Sequence, residues 1–293
     1  MKSSHVLLAM LVPTLWGLGF TLAKAGLDQF PPIFLITLRF AVTAVALVWF
    51  FPVPVRLLPR IAFIAFIGSA IQYALSYKGL QGIDVSTAAL VIQLEVPFAA
   101  IIAAIFLKER LGWRRVGGMA LAFLGIILIV GEPRVQQNLT PVLLIMGGAA
   151  TWAIGQVMIR ALGPVGGFTL IAWVAVFAAP ELLILSLIFE DNQWQAVMGA
   201  RWDAWAIILY LGLVMNGLGY ALWYHLLGHH PLNQVMPFIL LVPVTSVIGG
   251  VVLLGETLTP LIVAGGIIVI AGIAFITLER GRVAAPKPSG AER

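Results

Sequence analysis

The hexapeptide Tyr73-Ala74-Leu75-Ser76-Tyr77-Lys78 returns 147 residues later as Tyr220-Ala221-Leu222-Trp223-Tyr224-His225. Further along each copy, Leu94-Glu95-Val96-Pro97 matches Leu240-Leu241-Val242-Pro243 at a spacing of 146 residues. Both copies lie in stretches that are too apolar to be soluble. The pattern indicates an internally duplicated membrane protein, and it predicts that the repeated segment carries the function.

The composition excludes a soluble globular protein. Of the 293 residues, 61% are hydrophobic and 10% are charged, whereas soluble domains carry about 25% charged residues. The apolar runs have the length at which a helix crosses the hydrocarbon core, and they lack the alternation of barrel strands. We therefore expect an all-α polytopic membrane protein. Its ten predicted spans are residues 5–25, 31–51, 61–80, 84–107, 113–130, 140–162, 167–189, 204–227, 231–254 and 259–278.

The internal matches extend along both halves of the chain. Trp16 and Lys24 correspond to Trp152 and Arg160 at a spacing of 136 residues, and Lys108-Glu109-Arg110 aligns with Gly255-Glu256-Thr257. We predict a first repeat at residues 1–134, a second at 135–279, and a disordered tail at 280–293. Each repeat holds five spans. Because five is odd, the second repeat enters the membrane from the opposite side, and such inverted repeats are typical of secondary transporters.

The basic residues predict the orientation of the chain. With a cytoplasmic amino terminus, 12 of them lie inside and 4 outside, the outside four being Lys24, Lys78, Arg134 and Arg201. The positive-inside rule then places both termini in the cytoplasm. Topology thus accounts for the net charge of +5 without a nucleic-acid partner, since the basic residues form no stripe. We expect a monomer that is surrounded by the lipid bilayer of a bacterial inner membrane.

Several motifs occur in the same order along the two repeats, and most of them are present in both. The Trp-Gly of the first span, the Leu-x-Tyr and Val-Pro of the repeated segment, and Lys-Glu-Arg or Gly-Glu-Thr before a Gly-rich fifth span resemble the EamA family of the drug/metabolite transporter superfamily, over residues 5–278. Within that family the chain looks most like the YddG-type exporters of aromatic and other neutral amino acids. The resemblance implies a central cavity that is bounded by spans 1, 3, 4, 6, 8 and 9.

The sequence contains no motif of an enzyme. It has no phosphate-binding loop, no His-Glu-x-x-His, no nucleophile elbow and no cluster of metal ligands, and it has no cysteine. His229 and His230 are adjacent, and we expect them in a solvated turn rather than in a metal site. We therefore predict no enzymatic activity, no cofactor and no metal, and transport that is driven by a gradient or runs downhill.

Aromatic and polar residues share helical faces inside the predicted spans. Tyr73 and Tyr77 lie one turn apart in span 3, as Tyr220 and Tyr224 do in span 8, where Asn216 shares their face. Their hydroxyls could orient a polar ligand while their rings pack against its apolar part, and interfacial anchoring is the alternative. Four further residues are predicted to bind substrate, with packing between helices as the alternative for the tryptophans: Trp16, Gln93, Trp152 and Gln156.

Two charges lie at membrane depth, where an unpaired charge is costly. Glu95 and Arg39 could form a buried ion pair. Alternatively, Glu95 binds a proton or the ammonium group of a substrate while Arg39 faces its carboxylate. The second repeat has Leu241 at the position of Glu95, so the fold itself does not require a charge there.

Four residues are candidates for gating. Lys78 and His225 match each other between the repeats and, in an inverted arrangement, lie at opposite faces of the membrane. Pro97 and Pro243 each remove an intrahelical hydrogen bond from the fourth span of a repeat, where they either bend the helix during transport or form a static kink. The Gly-rich spans 5 and 10 are expected to pack closely, either between the repeats or between protomers.

The sequence favours a secondary transporter that exports small neutral metabolites by alternating access, with aromatic and other large apolar amino acids as the expected substrates. A phosphate-bearing substrate would require several inward Lys or Arg side chains. Two alternatives remain. One is a lipophilic-cation exporter that uses Glu95 as its proton or cation site, and the other is a non-transporting scaffold or lipid scramblase, which would not need Glu95.

Overall fold

The structure is a computed structural model that describes residues 1, 3–106, 108, 111–163, 165–230 and 232–277, without the side chains of residues 232, 233 and 236. In this part of the chain ten helices are long and apolar enough to cross a membrane, as the sequence predicts, and no strand is present. The tail expected at residues 280–293 lies outside the described residues.

The ten spans, numbered in chain order, are Ser3–Gly26, Pro32–Phe50, Val55–Gln81, Val85–Phe106, Trp113–Val130, Thr140–Leu162, Gly167–Phe189, Trp202–His229, Pro237–Leu254 and Pro260–Thr277. Span 3 begins earlier than predicted because its helical hydrogen bonds continue through Arg56 and Arg60, beyond the apolar core that the sequence marks. Short helices at Pro133–Gln136, Gln193–Gly199 and Leu232–Val235 lie in the connections.

The most extensive packing joins spans of one repeat to spans of the other. Span 5 packs on span 10, span 2 on span 7, span 3 on span 6, and span 1 on span 9. Between spans 5 and 10 the backbones approach closely, because Gly118 and Gly125 face the carbonyl oxygens of Gly272 and Gly265. The Gly-rich spans therefore pack the two repeats against each other within one chain.

The third and fourth spans of both repeats depart from α-helical geometry at matched positions. A π-helix occupies Phe66–Ile71 in span 3 and Tyr210–Leu218 in span 8, and each ends just before the repeated tyrosine segment. A 3₁₀ turn at Ile92–Leu94 and another at Met236–Leu240 precede Pro97 and Pro243. Such irregular turns often mark functional hinges. The repeats therefore share backbone geometry as well as sequence.

Carboxylates stabilise two helix starts at the face opposite the amino terminus. Glu190 accepts hydrogen bonds from the backbone N–H groups of Ile33 (2.8 Å) and Phe34 (3.0 Å) at the start of span 2. Glu256 does the same for the first N–H groups of span 4 and also accepts the Ser86 hydroxyl. The first N–H groups of a helix have no partner within it and carry a partial positive charge, so these acids fix where spans 2 and 4 begin.

Lys24 stabilises a helix end at the same face. Its Nζ donates to the backbone carbonyls of Leu80 (2.8 Å), Gln81 (3.1 Å) and Ile83 (2.9 Å) where span 3 ends. These carbonyls lie at the negative end of the helix dipole, which favours a cation. Lys24 therefore ties the end of span 1 to the turn between spans 3 and 4.

Candidate functional site

Arg39 of span 2 is buried inside the bundle, with 2% of its surface exposed. Its guanidinium donates to the hydroxyls of Tyr77 (3.3 Å) and Tyr73 (3.4 Å) and to the side-chain oxygen of Asn216. The guanidinium carbon also lies 4.9 Å from the centre of the Tyr73 ring. Spans 2, 3 and 8 therefore meet around one positive charge, and we call these four residues the Arg39 cluster.

Asn216 fixes the guanidinium because it is itself held on the other side. Its amide nitrogen donates to the hydroxyl of Thr43 (3.1 Å), and that hydroxyl donates to the carbonyl of Gly212 (3.1 Å) in the π-helix of span 8. Thr43 is not among the predicted site residues. Asn216 lies on the predicted polar face of span 8, but its contact with Arg39 is not predicted. Thr43 could have been found from its position one turn after Arg39, whereas Asn216 lies 177 residues from Arg39.

The ion pair between Arg39 and Glu95 that the sequence left open is not formed. Glu95 is half-buried and makes no hydrogen bond or ion pair with the described part of the chain. It lies within electrostatic range of Tyr220. Arg39 has only neutral hydrogen-bond partners, and its Nε has none among the described residues. Arg39 and Glu95 thus lie inside the bundle without contacting each other.

Trp16 lies against the repeated segment of span 8. Its indole Nε1 donates to the carbonyl of Met215 (3.0 Å) in the π-helix, and its ring lies 5.2 Å from Tyr220 and 5.7 Å from Trp223. The absence of a side chain at Gly219 permits this approach, since a Cβ there would collide with the indole nitrogen. The structure therefore joins two of the predicted binding residues, Trp16 and Tyr220.

Aromatic rings form a continuous row from Trp16 to the end of the bundle that carries the amino terminus. From Tyr220 the row passes to Tyr224 (6.1 Å between ring centres), then to Phe168 (5.6 Å), and ends at Phe51, which is stacked on Phe168 at 5.4 Å. These five residues are the aromatic row. Flat apolar faces with two phenolic hydroxyls suit a ligand that has an apolar body and a polar end.

The structure does not bring the remaining predicted residues into the Arg39 cluster. Gln93, Trp152 and Gln156 are half-buried, and their side chains make no hydrogen bond with the described residues. They belong to spans 4 and 6, which pack on each other. Lys78 and His225 are exposed near opposite ends of the bundle, as the matched positions of an inverted repeat require.

The chain matches the EamA-like transporter family twice, over residues 3–131 and 139–278. A protein of Salmonella typhimurium named "Probable amino-acid metabolite efflux pump" is 31% identical over 278 residues, which cover 91% of this chain and 92% of that protein. A "Probable terminal-alkyne amino-acid exporter" of Streptantibioticus cattleyicolor is 28% identical and covers 97% of this chain and 98% of its own. A crystal structure with 19% identity covers 95% of this chain and 98% of its own with a TM-score of 0.62, which shows the fold alone.

Proposed function

Because the chain belongs to the EamA-like transporter family, we propose that it exports neutral amino acids, preferably those with aromatic or other large apolar side chains, across a bacterial inner membrane. It is a multi-pass membrane transporter and not an enzyme. The observation that supports the proposed substrate is the buried Arg39, whose partners are all neutral. In this proposal both termini are cytoplasmic, and the repeats comprise residues 1–134 and 135–279.

A carboxylate is the group that the Arg39 cluster lacks. Tyr73 is half-buried. The Arg39 guanidinium donates to its hydroxyl and also lies within electrostatic range of Tyr220. A substrate carboxylate that accepts hydrogen bonds from these two hydroxyls would be attracted by the buried charge, and this attraction is stronger at low dielectric than in water. An acidic side chain paired with Arg39 would cancel this attraction. The neutral partners leave the positive charge of Arg39 available to the substrate.

Glu95 and the aromatic row could bind the ammonium group and the apolar side chain of such a substrate. Glu95 has no positive partner among the described residues, so its carboxylate is available to an ammonium group. The rings of Trp16 and Tyr220 offer apolar faces to the side chain. A zwitterion needs one partner of each sign and little further charge, and this requirement fits an amino acid better than a phosphorylated metabolite.

Transport proceeds in this proposal by alternating access, in which the two inverted repeats exchange conformations and open the substrate site to one face at a time. The 3₁₀ turns before Pro97 and Pro243 are the points at which spans 4 and 9 bend. Each proline leaves a carbonyl one turn earlier without its helical hydrogen bond. Lys78 and His225 lie near the two mouths.

The proposal is tested with purified protein in sealed vesicles and labelled phenylalanine. Tyr73→Phe removes one hydroxyl from the Arg39 cluster and keeps the ring. A hydrogen bond to a charged group contributes about 1.5–3 kcal/mol, so we expect the apparent affinity to fall about 10- to 100-fold. Tyr210→Phe is the matched control, because the Tyr210 hydroxyl donates to the carbonyl of Leu15 outside the cluster. Equal transport by both variants would refute the assignment.

The second candidate is a lipophilic-cation exporter, and the unpaired Glu95 beside an aromatic row favours it. Arg39 argues against it, because a buried positive charge repels a cationic substrate. The same vesicles distinguish the two functions when a quaternary ammonium dye is offered with and without a pH gradient. Dye flux that depends on protons and on Glu95, without flux of phenylalanine, would establish the cation exporter instead.

A further inference from the structure

All four histidines of the chain gather at the end of the bundle that carries the amino terminus. Nδ1 of His5, near the start of span 1, lies 2.6 Å from Nε2 of His230, directly after span 8. The His5 ring centre is 5.8 Å from that of His225 and 5.5 Å from that of His229, and the last two rings are 4.3 Å apart. We call these four residues the histidine cluster. Within the described residues they do not form a metal-binding group.

The histidine cluster connects the two repeats, since span 1 belongs to the first and span 8 to the second. In an inverted arrangement the equivalent contact at the opposite end joins spans 6 and 3. There Gly79 of span 3 lies directly against the backbone of Pro141 and the side chain of Ile145 in span 6, and this contact involves no titratable side chain. The contacts between the repeats therefore differ in chemistry at the two ends, and those at the end with the amino terminus are made by histidine, the side chain whose unperturbed pKa allows a change of charge between about pH 5 and 8.

Protonation of both rings is incompatible with the contact between His5 and His230. A hydrogen bond between two imidazoles needs a lone pair on one of them, so at least one of His5 and His230 is neutral. Partial burial, the positive amino terminus and the neighbouring His229 all lower the pKa of His230. No carboxylate is among these electrostatic partners of His230 in the described chain. The surroundings of His230 therefore disfavour its protonated form.

We propose that the histidine cluster is a pH-sensitive latch that holds the ends of spans 1 and 8 together at neutral pH and releases them when that side of the membrane becomes acidic. The latch does not depend on the identity of the substrate, and its placement in the cytoplasm rests on the proposed topology. Because the closed state binds protons less well than the open state, closure is favoured above the ordinary histidine pKa of about 6.5, and this preference is lost as the pH falls from there through the lowered pKa of His230.

The test uses the absence of cysteine from the natural chain. Ser4→Cys and Gly228→Cys place two spin labels at the ends of spans 1 and 8, where both positions are exposed and a Cβ at residue 228 has no neighbour within 4 Å. The distance between the labels is measured by electron resonance, in lipid nanodiscs, at about pH 8 and about pH 5.5. We expect a longer-distance population at acid pH, and each proton taken up on opening changes the open-to-closed ratio about tenfold per pH unit.

The matched control combines His5→Gln, His225→Gln, His229→Gln and His230→Gln, which leaves a chain without any imidazole. Its label distance is expected to be the same at both pH values. A pH response that persists in this variant, or none in the labelled parent, would overturn the latch. A distance that responds to Zn²⁺ at neutral pH and not to protons would also overturn it, in favour of a metal site. Failure of labelled phenylalanine to move, with the pH response intact, would instead refute the proposed function.

Discussion

Asn216 holds the guanidinium of Arg39 in a way that Tyr73 and Tyr77 do not. Asn216 is the one acceptor in the Arg39 cluster that also donates to a second residue, Thr43, and so links span 8 to span 2. A buried charge that loses an acceptor keeps its full desolvation cost. The stability of the Arg39 cluster therefore depends on a side chain of the second repeat that accepts a hydrogen bond from a charged residue of the first.

Asn216→Leu tests this dependence, since leucine has nearly the shape of asparagine but offers no hydrogen bond. We expect a loss of about 1–3 kcal/mol in stability, because Arg39 and Thr43 lose their partner together. Thermal unfolding of the detergent-solubilised protein measures the change. Gln137→Leu, at an exposed position, is the control and should leave unfolding unchanged. An equal stability of the two variants would contradict the importance of Asn216.

At the residue scale, the sequence predicts which side chains are unusual in a membrane span better than it predicts which residues they contact. Tyr73, Tyr77 and Arg39 are polar groups in apolar spans, so composition alone marks them as unusual. Their convergence with Asn216 depends on how the repeats pack, and no local pattern encodes this. The same holds for His5, which appears unremarkable at the start of span 1 until the fold places it beside His230.

At the scale of the element, backbone geometry departs from what the sequence indicates. Ten apolar runs predict ten helices because length and hydropathy determine whether a segment spans the membrane. The π-helix at Phe66–Ile71 has no such signal, since its residues are ordinary members of an apolar helix. The 3₁₀ turns are partly predictable, because Pro97 and Pro243 disrupt the α-helical hydrogen bonding of the turn that precedes each of them.

Glu256 offers a direct test of how a helix start is fixed. Glu256→Gln removes the negative charge that the first N–H groups of span 4 face, while it keeps the side chain's size. Since hydrogen bonds to a charged acceptor contribute about 1.5–3 kcal/mol, we expect a clear fall in the unfolding temperature. Asp28→Asn removes an exposed carboxylate at the same face and is expected to have little effect. If both variants unfold like the parent, Glu256 does not stabilise span 4.

At the scale of the whole molecule, the two repeats do not form separate bodies. Each strong pairing of spans crosses from one repeat to the other, as in the packing of span 5 on span 10 and of span 2 on span 7. A relative movement of the repeats therefore changes many contacts at once. The histidine cluster at one end and the close contact of Gly79 with Pro141 at the other both cross between the repeats, so such a movement would change them.

The proposed topology places Ser4 in the cytoplasm and Gln195, between spans 7 and 8, outside. In the cysteine-free chain, Ser4→Cys and Gln195→Cys can be treated separately in intact cells with a thiol reagent that does not cross membranes. We expect residue 195 to react at once and residue 4 to react only after the membrane is opened. The reverse pattern would invert the topology and assign the histidine cluster to the outer face.

The π-helices that end at Ile71 and Leu218 lie 147 residues apart, at matched positions of the two repeats. A π-turn accommodates more residues than the α-helical turn that it replaces, and one inherited insertion is a simpler origin than two independent ones at the same place. An insertion shared in this way would predate the duplication and belong to a five-span ancestor. Because five spans leave the two termini on opposite sides, such an ancestor would form the same bundle by pairing with an upside-down copy of itself.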